Sequence, residues 1–432
     1  MKTLAFALCI LAGPATAQTA IDTIRPDAPE LAPYGPEAVG VRTVTLTDPD
    51  RIDVLAATEG ATSDEAPRTD RTLTVELWYP AEPGTVPGTS YTALLRDGVT
   101  EVTLTGRAAR DAAPAEGDYP LIVISHGYPG NRFLMSHLGE NLASKGYVTA
   151  SVDHPDSTYD DMGPFPSTLV NRPVDQAFVV EALTAPDGPL AGTVDPLRVG
   201  VIGYSMGGYG ALIFAGAGLS RSAVERREPA HLNAPGDLLA RHLAGSEAHS
   251  DLQDPRLRAV VAIGPWGRNR DFWDADGLAG IEVPLMIVAG EVDDVSGYGS
   301  MRSIFEETTG TERLLLTFEN ANHNAAAPIP APAAAWEVSD NLGRATFDHY
   351  ADAVWDNVRM NNVLAHFVTA FMDLHLKEQE SRAAYLDLVP VAADGIWDVA
   401  DDGMEGPDHT YWTGFPNRTA AGLRLERLTA GE

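Results

Sequence analysis

Between Arg198 and Gly210 the chain reads Arg-Val-Gly-Val-Ile-Gly-Tyr-Ser-Met-Gly-Gly-Tyr-Gly, and no other stretch restricts the possible folds as much. Val199 to Ile202 are an apolar run with strand character, and Ala211 to Phe214 supply an apolar helix face soon after. Between them, Gly203-Tyr204-Ser205-Met206-Gly207 is a G-x-S-x-G sequence. A serine on a sharp strand-to-helix turn needs small neighbours, because side chains there collide with the reversing backbone. The first helical turn beyond it offers free N–H groups to an oxyanion. A glycine-rich turn whose serine merely caps a helix is the alternative, but it leaves the poor helix formers Gly207-Gly208 unexplained.

The flanking chain supplies a frame for this turn. Apolar runs at Leu121–Ile124, Tyr147–Val152, Leu257–Ile263, Val283–Ala289 and Arg313–Phe318 alternate with helical patterns at Phe133–Ser144 and Val174–Leu183. Near-continuous apolar strands separated by helices predict an α/β fold, a mostly parallel central sheet covered by helices on both faces. In such sheets binding sites lie at the carboxyl ends of the strands. Two earlier alternating segments, Val41–Leu46 and Arg71–Pro80, read as further strands. Phe347 to Leu376 carries the strongest helical periodicity, with His366 and His375 expected on its surface.

Residues 1–17 read as an export signal: Lys2, the apolar Leu4–Ala12, then Ala15-Thr16-Ala17. That apolar run is too short to span a bilayer. Residues 18–40 predict an extended, proline-rich arm, 41–376 the main domain, and 377–432 a carboxyl-terminal extension whose Tyr411 and Trp412 dock on the body. Residues 219–256 interrupt the pattern as a polar insert that could cap the site. The single cysteine, Cys9, falls within the signal, so no disulfide, thiolate nucleophile or thiolate-bound metal is expected in the exported chain. A formal charge of −31, from 61 acidic against 30 basic residues, argues against nucleic acid or an anionic membrane as partner.

A serine nucleophile in this topology requires an acid and then a histidine later in the chain. The strand ending at Gly290 opens into Glu291-Val292-Asp293-Asp294, and the next is followed by Glu319-Asn-Ala-Asn-His323. His323 is the expected base and Asp293 the expected acid, with Asp294 as the alternative and Glu291 more remote. Backbone N–H groups of Met206 and Tyr128 are the expected oxyanion donors, Tyr128 lying in Ser125-His126-Gly127-Tyr128 after another strand. Tyr128, His126 and Trp266, the last in Gly264-Pro-Trp-Gly267, are expected to shape the substrate pocket. Asp153, Asp156, Asp160 and Asp161 crowd nine residues and are a weak candidate for calcium, lacking any EF-hand spacing. No phosphate-loop, H-E-x-x-H or dinucleotide fingerprint occurs, and no cofactor is expected.

On the elbow, the His126-Gly127-Tyr128 loop, the Gly290–Asp293 turn and His323, residues 40–376 resemble the α/β-hydrolase superfamily. Within it the chain is similar to secreted ester hydrolases: the dienelactone-hydrolase-like group, the platelet-activating-factor acetylhydrolase-like lipases and the polyester-cleaving cutinases. The resemblance implies that Ser205 is the nucleophile, Asp293 the acid and His323 the base. It implies that Tyr128 and Met206 supply the oxyanion hole and that Trp266 stacks on aromatic diesters. True dienelactone hydrolases carry cysteine at the elbow where this chain has Ser205, and cutinases are much shorter. The expected activity is that of an exported serine carboxylesterase acting on small to medium apolar or aromatic esters. A phospholipid or long-chain lipase, and a catalytically silent hydrolase fold used for binding, are the alternatives.

Overall fold

A computed structural model describes residues 18–432; the export-signal reading of residues 1–17 lies outside the described residues. Ten strands form one sheet in the spatial order Leu423–Leu428, Arg313–Phe318, Leu285–Gly290, Leu257–Ile263, Val194–Tyr204, Tyr119–Ser125, Val148–Asp153, Arg68–Ala81, Ala38–Ile52, Ala109–Arg110. The six from Arg313–Phe318 to Val148–Asp153 run parallel. Successive side chains of a strand point to opposite faces, so each apolar run feeds two cores. Ile122 and Ile124 join Ile202, Val261 and Val288 beneath the helices Ser136–Ala143 and Asn357–Leu376. Leu121 and Val123 join Val201, Ala262 and Ile287 beneath Phe165–Thr184, Met206–Phe214 and Tyr298–Glu307. This is the α/β-hydrolase architecture.

Three elements differ from the sequence expectation. The helix expected over Val174–Leu183 begins at Phe165, where two prolines occupy positions whose N–H groups would be free in any helix. The last long helix starts at Asn357 rather than Phe347, because the Asp356 side chain accepts from the Arg359 N–H and caps it. His366 on that helix is fully buried rather than on the surface, its Nδ1 accepting from the Leu31 N–H of the amino-terminal arm. Residues 18–40 thus lie extended across the body, where Lys145 also donates to the Leu31 carbonyl. The carboxyl-terminal extension adds Leu423–Leu428 antiparallel to Arg313–Phe318 and buries Trp412 against Phe367.

The 219–256 insert does not cap the cavity above Ser205. His242 meets the Val170 carbonyl and His249 the Ile213 carbonyl, so the insert lies along Phe165–Thr184 and the far end of Met206–Phe214. The cavity is instead overlaid by the segment that follows His323, through Arg344, Asp348 and His349.

Candidate active site

Ser205 ends the strand Val194–Tyr204 and precedes the helix Met206–Phe214 with φ 53° and ψ −111°. A non-glycine residue held there is strained, and the surroundings must enforce it. Ser205 N–H donates to the Ile263 carbonyl, and the Trp266 N–H donates back to the Ser205 carbonyl. The turn is tight enough that a Cβ at Gly203 would lie 2.2 Å from the Gly207 carbonyl oxygen, and one at Gly207 would lie 2.0 Å from that of Ser125. Glycine is therefore required at both positions.

His323 Nε2 lies 2.9 Å from Ser205 Oγ, and its Nδ1 lies 2.8 Å from Asp293 Oδ2. The second Asp293 oxygen accepts the Val295 and Ser296 N–H groups, both at 2.8 Å. Burial favours the neutral acid, but the His323 ring and these two amides outweigh it and hold the Asp293 carboxyl below its ordinary value. Asp294 is exposed at the cavity rim and makes no contact with the imidazole. The Tyr204 ring tilts against the His323 ring at 5.2 Å, and its hydroxyl donates to Asn324.

Ser205, His323, Gly127 and Tyr128 line a common cavity of about 280 Å³. Neither the Tyr128 nor the Met206 N–H donates to an acceptor among the described residues. Tyr128 is fixed by its own hydroxyl, which donates to the Gly163 carbonyl at 2.6 Å.

A second Ser–His–Asp chain runs behind this loop. Ser125 Oγ is 2.9 Å from His154 Nε2, and His154 Nδ1 is 3.1 Å from Asp175. Ser125, His154 and Asp175 are 0%, 1% and 0% exposed, whereas Ser205 is 8% exposed and faces the cavity. Asp175 also pairs with Arg51 and Arg71, and burial lowers the His154 pKa to about 3. This inner chain braces the end of the strand that carries the Tyr128 loop.

Other expected site residues are placed differently. His126 is buried behind its loop, bonded through Nδ1 to the Gly127 carbonyl and through Nε2 to the His154 N–H, so it does not face the cavity. Trp266 does not line the cavity either. Phe165 stands between it and Tyr128, with edge-to-face contacts at 4.9 Å to Tyr128 and 5.2 Å to Trp266. Trp266 continues into Phe272 and Tyr209. The four clustered aspartates do not converge on a point. Asp153 pairs with Arg132, Asp156 with Arg71, Asp160 accepts from Thr158, and Asp161 accepts the Asp156 N–H. Among the described residues no group of three or more His, Cys, Asp or Glu is arranged to hold a metal ion.

Phe165, Arg96 and Arg172 are absent from the sequence reading. Phe165 had a local signal, since prolines bracket it at the start of a helix. Arg96 and Arg172 had none, because only the fold brings them to the site.

Residues 109–234 match a family model described as PETase, PET hydrolase-like. The cutinase est1 of Thermobifida alba is 25% identical over 214 residues, 48% of this chain and 54% of that protein. A bis(hydroxyethyl) terephthalate hydrolase of Streptomyces coelicolor is 22% identical over 215 residues, 48% of this chain and 52% of that protein. The chain spans about half the length of the curated relatives it matches. A ferulic acid esterase structure from Streptomyces cinnamoneus superposes with a TM-score of 0.55 at 23% identity, covering 84% of this chain and 94% of that one. Among the described residues no helix is long and apolar enough to cross a membrane. With its parallel sheet, its serine elbow and an intact Ser–His–Asp hydrogen-bond chain, the protein has the α/β-hydrolase architecture and is similar to these cutinases and esterases.

Proposed function

We propose that this protein is a serine carboxylesterase that cleaves small to medium apolar or aromatic esters through an acyl-enzyme on Ser205. The observation that carries this reading is His323, hydrogen-bonded at once to Ser205 and Asp293 beside an open cavity. His323 takes the Ser205 proton as the hydroxyl attacks the ester carbonyl and returns it to the leaving alcohol, and Asp293 fixes the ring tautomer. The Tyr128 and Met206 N–H groups receive the tetrahedral oxyanion. Water then repeats the sequence on the acyl-enzyme and releases the acid. The Tyr128 ring at the cavity, together with relatives named as cutinases and a terephthalate ester hydrolase, favours apolar or aromatic acyl groups.

Ser205→Ala is expected to lower turnover of p-nitrophenyl acetate by a factor of about 10⁴ and to abolish labelling by a fluorophosphonate. Retained labelling in that variant rejects Ser205 as nucleophile. Fluorophosphonate labelling that depends on Ser205 separates this reading from a silent binding protein. The reading of residues 1–17 supports export to the periplasm or beyond, checked by sequencing the amino terminus of the mature protein.

A further inference from the structure

The cavity above Ser205 holds a cation with no counter-charge. Arg96 lines it, yet its guanidinium makes no ion pair and no hydrogen bond among the described residues; only its backbone is tied, the N–H donating to Tyr350 Oη at 3.0 Å. The groups that feel its charge are neutral: the phenols of Tyr128, Tyr159 and Tyr350, and His349. His349 is bonded to Tyr159, and burial lowers its pKa to about 3, so it stays uncharged.

The remaining charges at the cavity do not neutralise Arg96. Arg344 and Asp348 pair with each other at 2.6 Å. Asp294 is exposed and enters from the strand two places to one side of the elbow strand, whereas the Tyr128 loop leaves the neighbour on the other side. In a chain with 61 acidic residues against 30 basic ones, an arginine facing the nucleophile without a carboxylate is unexpected. A half-buried guanidinium is costly unless an anion completes it, and its planar donors fit a carboxylate.

Resting on the carboxylesterase reading above, we infer that the preferred substrates are esters carrying a free carboxylate, which Arg96 receives while Ser205 attacks the ester carbonyl. Such a substrate brings the missing anion. Half-esters of dicarboxylic acids belong to this class, and neutral diesters of the same acids are their uncharged counterparts.

The test compares monomethyl adipate and monomethyl terephthalate with the corresponding dimethyl esters, on the wild type, Arg96→Met and Arg96→Lys. Melting temperatures establish that each variant is folded. For each protein the readout is the ratio of kcat/KM for half-ester to diester, which cancels losses common to both substrates. Arg96→Met is expected to lower that ratio by about tenfold or more, and Arg96→Lys to restore part of it. A ratio that stays within about twofold across all three proteins overturns the carboxylate inference and leaves the esterase reading intact. If the wild type turns over none of the four esters and Ser205 resists fluorophosphonate, the esterase reading falls and the inference falls with it.

Discussion

Arg172 donates from within the helix Phe165–Thr184 to the backbone carbonyl of His126, two residues before Tyr128. The same guanidinium reaches the Gly127 carbonyl and the hydroxyls of Ser157 and Thr168. It is fully buried with no carboxylate in ion-pair contact, and burial lowers its pKa to about 9. The Tyr128 N–H, proposed above as an oxyanion donor, directly follows this clamped segment and has no acceptor among the described residues. Arg172→Met is expected to reduce kcat by about 10- to 100-fold, with a smaller change in KM, because the loosened donor acts on the transition state. Steady-state kinetics well below the melting temperature check this; an equal effect on kcat and on thermal stability, with no excess in kcat, assigns Arg172 to folding alone.

The two Ser–His–Asp chains make opposite predictions. Ser125 is sealed, so Ser125→Ala should keep fluorophosphonate labelling and lie within about tenfold of wild-type turnover, the loss expected from one buried hydrogen bond. Labelling lost in Ser125→Ala but kept in Ser205→Ala would reverse their roles.

Asp293 and Asp294 are adjacent, but only Asp293 reaches the imidazole. Asp293→Asn should cost about 10⁴ in kcat by stabilising the wrong His323 tautomer. Asp294→Asn should stay close to wild type. Kinetics on the two variants decide the assignment.

Trp266 is tied into a ring cluster with Tyr209 and Phe272, and Phe165 separates it from Tyr128. Trp266→Ala should therefore lower the melting temperature, with a loss toward the lower end of the ~3–5 kcal/mol typical of a truncated buried aromatic. An aromatic ester and an acetate should suffer alike. Selective loss of the aromatic ester in Trp266→Ala, without destabilisation, would return the ring to the substrate wall.

Burial lowers the pKa of His137, His154, His242, His349 and His366 to about 3 each, from an ordinary 6.5. Above pH 6.5 these groups are neutral in both folded and unfolded chains and add no pH dependence. Between 6.5 and 3 the unfolded chain binds protons that the folded chain refuses, so stability falls, by about 1.4 kcal/mol per pH unit for each fully titrating group. Asp293 acts in the same direction at lower pH: its stabilisation is present above the ordinary carboxylate value and fades as pH falls through its depressed one. Denaturant titrations from pH 7.5 to 4.5 should show uptake of several protons on unfolding; a flat profile contradicts the burial of these imidazoles.

The features legible in the sequence are the short-range ones. Gly203 announces the turn because a Cβ there would strike the Gly207 carbonyl four residues on, and Gly207 sits in the same short motif although its own clash is with Ser125 on the neighbouring strand. Strand runs are legible because Leu121 to Ile124 feed both faces and cannot tolerate polar breaks. The rest depends on approaches between distant residues. Phe165 displaces Trp266 from Tyr128 because its helix begins nine residues earlier than its apolar periodicity indicates. His126 turns inward to meet the buried amide of His154, 28 residues on. The insert at 219–256 and the overlying segment at 344–349 are similarly polar, so composition alone does not say which one covers Ser205.

The strand Leu423–Leu428 closes the side of the sheet formed by Arg313–Phe318, and Arg427 reaches Glu312, 115 positions earlier in the chain. Until that late strand arrives, Leu314, Leu315 and Leu316 present open backbone donors and acceptors on an apolar ribbon, the kind of edge that recruits another chain. A shortened polypeptide ending before Leu423 would then be troubled by self-association rather than by chemistry. It would precipitate or form dimers through Arg313–Phe318 while Ser205, at the end of a strand three places away, is still correctly built. Solubility on expression is thus governed by a stretch of chain that takes no part in lining the cavity above Ser205.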